Sequence, residues 1–227
     1  MKPAIILALD VDSLKKVKHL VNNLYPIINN FKVGSQLFTA CGPEVIKVIN
    51  KKGANVFLDL KFFDIPNTVA HAVRNATRLK VKMMTLHILG DEEMIKAAVS
   101  SARDEAKKLR IKKPLLIGVT VLTSKEAKSS DVLTLARIGI DCGLDGVVCS
   151  AQEVKMLRRE IKKKFIIVTP GIRSKAGVAN DQRRIATIRE AVRAGSNFLV
   201  VGRPILESKD QKIAAREMLG EIDDRRD

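Results

Sequence analysis

The sequence has no tryptophan and a single tyrosine among its 227 residues. Base stacking calls for aromatic rings interleaved with basic side chains, and no such interleaving occurs along the chain, so nucleic acid is not an expected partner. Cysteine is scarce too. Cys41, Cys142 and Cys149 lack CxxC or His-paired spacing, which argues against a disulfide framework or a zinc site and suits a reducing cytoplasm. Apolar runs fall far short of the ~20 residues that a spanning helix needs. The early run from Ala4 to Leu9 is closed by Asp10 and Asp12 before a secretory segment could form. Neither a membrane span nor a targeting signal is expected.

Acidic residues are outnumbered, 25 against 41 Lys and Arg, for a net charge of +16. Such a charge favours anionic partners at long range. The basic residues are nevertheless spread along the whole chain, which reads as a solvated basic exterior. With 46% apolar and 29% charged residues, the chain has the composition of a globular protein, and its length suits one core. A single domain over residues 1–227 is expected.

Short apolar, β-branched runs alternate with amphipathic stretches from end to end. The runs are Ala4 to Asp10, Phe31 to Ser35, Asn55 to Lys61, Met83 to Leu89, Leu115 to Val121, Gly146 to Ser150, Phe165 to Pro170 and Asn197 to Gly202, and each reads as a strand. Between them, helical periodicity places Ile95, Ala98, Val99, Ala102, Ala106 and Leu109 on one face behind a cap at Asp91. Helix stops are marked at Gly53, Gly143 and Gly195. Strict β/α alternation implies a parallel sheet. Eight units without a GxGxxG after the first strand favour a closed α/β fold, a single-domain (β/α)₈ TIM barrel, over an open doubly wound sheet.

A barrel's active site is built at the C-terminal ends of its strands. There the sequence places Asp10, Lys32, the pair Asp59 and Lys61, and Asp64 just beyond. Residues two apart on a strand share a face, so Asp59 and Lys61 should both look into the barrel mouth. A salt bridge that only closes a barrel would need one lysine and one carboxylate. The alternating Lys-Asp-Lys-Asp set exceeds that. Gly171 with Arg173 and Gly202 with Arg203 end the seventh and eighth strands, the usual phosphate position in this architecture.

The run Phe57-Leu58-Asp59-Leu60-Lys61-Phe62-Phe63-Asp64-Ile65-Pro66-Asn67-Thr68 resembles the DxKxxDIPxT signature of the orotidine 5′-phosphate decarboxylase family. Leu9-Asp10-Val11-Asp12, Phe31-Lys32-Val33-Gly34, Val119 to Ser124, Thr169-Pro170-Gly171-Ile172-Arg173, Asp181-Gln182 and Val201-Gly202-Arg203 are similar to its other landmarks, in order. The resemblance implies decarboxylation of orotidine 5′-monophosphate to UMP and CO₂, the last step of de novo pyrimidine nucleotide synthesis, without metal or organic cofactor. It assigns Lys61 to protonation of C6, Asp59 to the substrate carboxylate, and Lys32 and Asp10 to the ribose. Asp64, Ile65 and Thr68 would reach a partner subunit's site, implying a homodimer with shared active sites. Thr123 and Ser150 would face the pyrimidine. Gln182, Arg203 and the Gly202 backbone would hold the phosphate, Pro170 and Arg173 would also bind the substrate, and a loop from Arg173 to Gln182 would close over it.

One stretch departs from the family pattern. Leu86-His87-Ile88-Leu89-Gly90-Asp91 stands where the family often has His, Ala and a Gly pair, and His87, without a second His or Cys to pair with, reads as structural. A metal-dependent sugar-phosphate relative shares DxKxxD, but carries a metal-binding Glu in the place of Lys32. A protonated lysine cannot coordinate Mg²⁺.

Overall fold

The eight runs form eight parallel strands in the computed structural model, which describes residues 2–122, 127–173 and 186–223. They are β1 (Ala4–Ala8), β2 (Asn30–Gly34), β3 (Asn55–Phe62), β4 (Met83–His87), β5 (Leu115–Val119), β6 (Gly146–Val148), β7 (Ile166–Thr169) and β8 (Phe198–Val201). Each pairs with its sequence neighbour, and β1 pairs with β8 through Ala4 to Leu7 and Phe198 to Val201, closing the barrel. Most strands stop one or two residues before the positions expected to end them. Asp10, Ser150, Pro170 and Gly202 therefore lie past the ladder, free of its hydrogen-bond geometry.

The helices are α1 (Leu14–Leu24), α2 (Ser35–Cys41), α3 (Glu44–Lys51), α4 (Pro66–Arg78), α5 (Asp91–Leu109), α6 (Ser129–Asp141), α7 (Ala151–Glu160), α8 (Ile188–Ala194), α9 (Arg203–Leu206) and α10 (Gln211–Asp223). Gly53, Gly143 and Gly195 follow helices with φ of 86°, 96° and 106°, the left-handed exit that lets a helix stop and feed a strand. Among the described residues, no helix is long and apolar enough to cross a membrane.

The core has two layers because strand side chains alternate between faces. Outward residues such as Leu7, Phe31, Val56, Leu58, Leu116 and Val147 pack under the helices. Inward residues Ile6, Phe57, Met83, Ile117, Val168 and Phe198 fill the barrel. Burial of each large apolar side chain contributes roughly 1.5–3 kcal/mol. At the N-terminal end, the buried Asn30 amide donates to the Ile5 carbonyl and accepts from Asn55 and Lys82 Nζ. That closes the bottom and leaves the opposite end as the open mouth.

Helix α5 corrects one expectation. Leu109, expected on its buried face, is 40% exposed, whereas Glu105 is buried. Arg78 of α4 donates to Glu105 at 2.7 Å, and this hydrogen bond holds the Glu105 carboxyl below its ordinary range against the opposing effect of burial. Asp91 has φ 68° and accepts from the Met94 amide at 2.8 Å, so it caps the helix as expected.

Candidate active site

Strand β3 is not regular where its charges lie. Its register with β4 runs from Leu58 opposite Met84 to Phe62 opposite Leu86, four steps on one strand against two on the other. The extra residues form a bulge around Leu60, and Lys61 takes φ 51°. A left-handed non-glycine residue costs roughly 1–2 kcal/mol and persists when its surroundings hold it. Two extra residues preserve the parity of the strand. Asp59 and Lys61 thus share the inward face as expected, though through a bulge.

Lys61 Nζ lies 2.9 Å from Asp59 Oδ2, and Lys32 Nζ lies 3.6 Å from the same oxygen and 3.7 Å from Asp10 Oδ1. The array grades outward: side-chain exposure is 12% at Asp59, 15% at Lys32, 37% at Lys61 and 58% at Asp10. A pair of opposite charges at about 4 Å attracts by roughly 4 kcal/mol at an effective dielectric near 20. Burial pushes the Asp59 carboxyl up, but the charges of Lys32 and Lys61, with hydrogen bonds from Lys61 and Thr85, outweigh it and hold the group below its ordinary range. Asp59 is an ionised carboxylate between two ammonium groups. Gly34 makes room for this, since a Cβ there would stand 3.2 Å from Lys32 Nζ.

These charges line a cavity of about 510 Å³ at the mouth. Its apolar side includes Phe57, Val119, Val148, Val168 and Val200, with Val121 and Leu122 beyond β5. Pro170, Gly171, Arg173, Gly202 and Arg203 line it from the ends of β7 and β8. Gly171 has φ 77°, a conformation that strains any residue with a Cβ. Its carbonyl accepts from the Ala186 N–H, and Arg173 N–H donates to the Ala186 carbonyl at 3.0 Å, which ties Ala186 to the end of β7.

Other expected residues lie elsewhere. Asp64, Ile65 and Thr68 are exposed and outside the set that lines their own chain's cavity. Asp64 Oδ1 accepts from the Ile65 amide at 2.7 Å, which turns the chain into α4. Ser150 does not line the cavity: it is buried as the cap of α7, and its amide and hydroxyl both donate to Glu153 Oε2, at 2.7 and 2.6 Å. Polarity at a strand end marked Ser150, but a Ser three residues before a Glu is equally the signature of a capping box. Thr123 and Gln182 lie outside the described residues. His87 packs its ring against Phe63, with centroids 5.7 Å apart. Two contributors escaped the sequence reading. Glu207 lines the cavity and carries no motif, whereas Thr85, which donates to Asp59, is a polar residue set between the apolar Met84 and Leu86 of β4.

The orotidine 5′-phosphate decarboxylase / HUMPS family profile matches residues 3–218. The chain belongs to this family. It is 44% identical to the orotidine 5′-phosphate decarboxylase of Syntrophomonas wolfei over 97% of this chain and 98% of that one. It is 42% identical to that of Moorella thermoacetica over 98% and 93%. The crystal structure of orotidine 5′-phosphate decarboxylase from Lactobacillus acidophilus superimposes with a TM-score of 0.85 at 35% identity, covering 98% of this chain and 99% of that one.

Proposed function

We propose that the protein decarboxylates orotidine 5′-monophosphate to UMP and CO₂, the last step of de novo pyrimidine nucleotide synthesis. It is a carboxy-lyase of the orotidine 5′-phosphate decarboxylase family. The observation that carries the reading is the 2.9 Å contact between Lys61 Nζ and the buried Asp59 carboxylate inside an open, partly apolar cavity.

Loss of CO₂ leaves an electron pair on C6, and an ammonium group set beside that carbon stabilises the developing charge. Lys61 supplies it and then transfers its proton to C6, completing UMP. Asp59 keeps Lys61 aimed, and its negative charge faces the substrate carboxylate until that group departs as neutral CO₂. Lys32 and Asp10 hold the ribose hydroxyls. Arg203, Arg173, Gln182 and the Gly202 backbone receive the phosphate, with Pro170 against the substrate and Thr123 at the pyrimidine. Phosphate binding contributes to the rate when remote contacts are used at the reacting centre.

The reaction needs no metal. Lys32 places a positive charge between Asp10 and Asp59, where a metal-dependent sugar-phosphate enzyme would need a carboxylate donor. The sites are shared across a homodimer. Exposed Asp64 and Thr68 belong to the partner's cavity, and exposed Phe63, Ile65 and Leu89, at 59%, 66% and 58%, give the interface its apolar centre. With free Cys41, Cys142 and Cys149, the enzyme suits the cytoplasm. An ultraviolet assay of orotidylate consumption in the presence of EDTA tests the reading: turnover is expected to persist. Failure to consume orotidylate with or without added Mg²⁺ would remove it.

A further inference from the structure

Thr85 lies at the centre of β4, fully buried, one strand away from the charges. Its hydroxyl accepts from the Lys61 backbone N–H at 2.9 Å and donates to Asp59 Oδ1 at 3.0 Å. The direction of both bonds is set, because an amide can only donate and an ionised carboxylate can only accept. With Lys61 Nζ on Asp59 Oδ2 at 2.9 Å, a closed circuit forms: Lys61 amide, Thr85 hydroxyl, Asp59 carboxylate, Lys61 ammonium.

We propose that Thr85 is a positioning residue that sets the proton donor, by holding the bulge of β3 with one bond and dividing the labour of the Asp59 oxygens with the other. The proposal deepens the reading of the site given under Proposed function and rests on it. Each half has its own physical reason. Lys61 at φ 51° sits in a conformation that a residue with a Cβ leaves unless its surroundings hold it. Its N–H falls where the register with β4 is interrupted, and Thr85 supplies an acceptor there. On the other side, the terminal torsion of an aspartate is broad and two-fold, so its carboxylate plane is set by partners. Thr85, fixed in the barrel wall, takes Oδ1 and turns Oδ2 toward Lys61 and Lys32.

Without the hydroxyl, the donor amine and its carboxylate can each drift by a fraction of an ångström. A displacement of about 1 Å can cost on the order of 100-fold in rate. The effect belongs in the chemical step, because Thr85 does not line the cavity.

The test compares the native protein with Thr85→Val, Thr85→Ser and Thr85→Cys. Valine keeps the shape and removes both bonds, serine keeps both, and cysteine keeps the volume with a weak donor and acceptor. With orotidylate as substrate, the valine and cysteine variants are expected to lose at least tenfold in kcat, with KM within threefold, while serine stays within threefold of native kcat. If valine does not fold, cysteine carries the comparison. A folded variant of either kind within threefold of native kcat would overturn the proposal, as would a loss confined to KM or a serine variant as slow as cysteine. Hydrogen exchange at the Lys61 amide is read on the same proteins without substrate. Its protection should fall at least tenfold in the valine or cysteine variant and be retained in serine, and unchanged protection would overturn the link through Thr85. If native protein leaves orotidylate untouched, the proposed function fails, and the exchange measurement still judges the circuit.

Discussion

Replacement of Lys61 by alanine separates chemistry from architecture at this mouth. The ammonium group reaches 2.9 Å from its carboxylate partner, and a carbanion at a similar distance would be stabilised by roughly 6 kcal/mol at an effective dielectric of 20. At 1.36 kcal/mol per decade, that is about four orders of magnitude in rate, before loss of the transferable proton is counted. The structural consequence is small by comparison. The side chain is 37% exposed, and Asp59 keeps Lys32 at 3.6 Å and the Thr85 hydroxyl at 3.0 Å. Alanine accepts the same left-handed φ at a similar cost. A thermal melt within a few degrees of native is therefore expected, with kcat lower by a factor of about 10⁴ or more in the orotidylate assay. A folded Lys61→Ala protein that retains a tenth of native kcat would refute the assignment of Lys61 to the reacting carbon.

Arg203→Ala should raise KM and lower kcat together if binding energy from the phosphate is used at the reacting centre; added phosphite should then partly restore turnover of the phosphate-free nucleoside, and no response at any concentration would count against phosphate-linked catalysis. Mixing inactive Lys61→Ala with inactive Asp64→Ala chains at equal amounts should regenerate about a quarter of native activity, because half the dimers are mixed and each has one site with both residues intact. Demonstrated subunit exchange with no activity would place Asp64 outside the partner's site. Asp59, whose carboxyl is held below its ordinary range, should contribute stability that is fully present above the unfolded-state value near 4 and lost as pH falls through the lowered folded value. Acid titration of native and Asp59→Asn proteins checks the sign: their stability difference should be constant around neutrality and shrink only under acid conditions.

Periodicity was sufficient for the barrel. Strand alternation and helix repeats depend on local geometry that each segment carries with it, and eight apolar runs between amphipathic stretches leave few ways to bury both faces of a parallel sheet. The placement of Asp10, Lys32, Asp59, Lys61 and Arg203 at one mouth was legible for the same reason. Strand ends in a barrel converge whatever their sequence. Local chemistry also carried an ambiguity that distance alone resolved: Ser150 satisfies both a strand-end reading and a capping box, and the 2.6 Å bond to Glu153 decides for the cap. Glu105 and Arg78 make the same point in α5 and α4, because a glutamate on an apolar helix face is tolerable only when another element brings a cation to it. The bulge of β3 is the clearest case. Alternation alone puts Asp59 and Lys61 on one face, but whether the strand runs straight or takes two extra residues depends on its register against β4. That register depends on a partner 24 residues away along the chain, the Thr85 hydroxyl that receives the Lys61 amide. A hydrogen bond between strands is a property of their pairing, so only the closed barrel decides it.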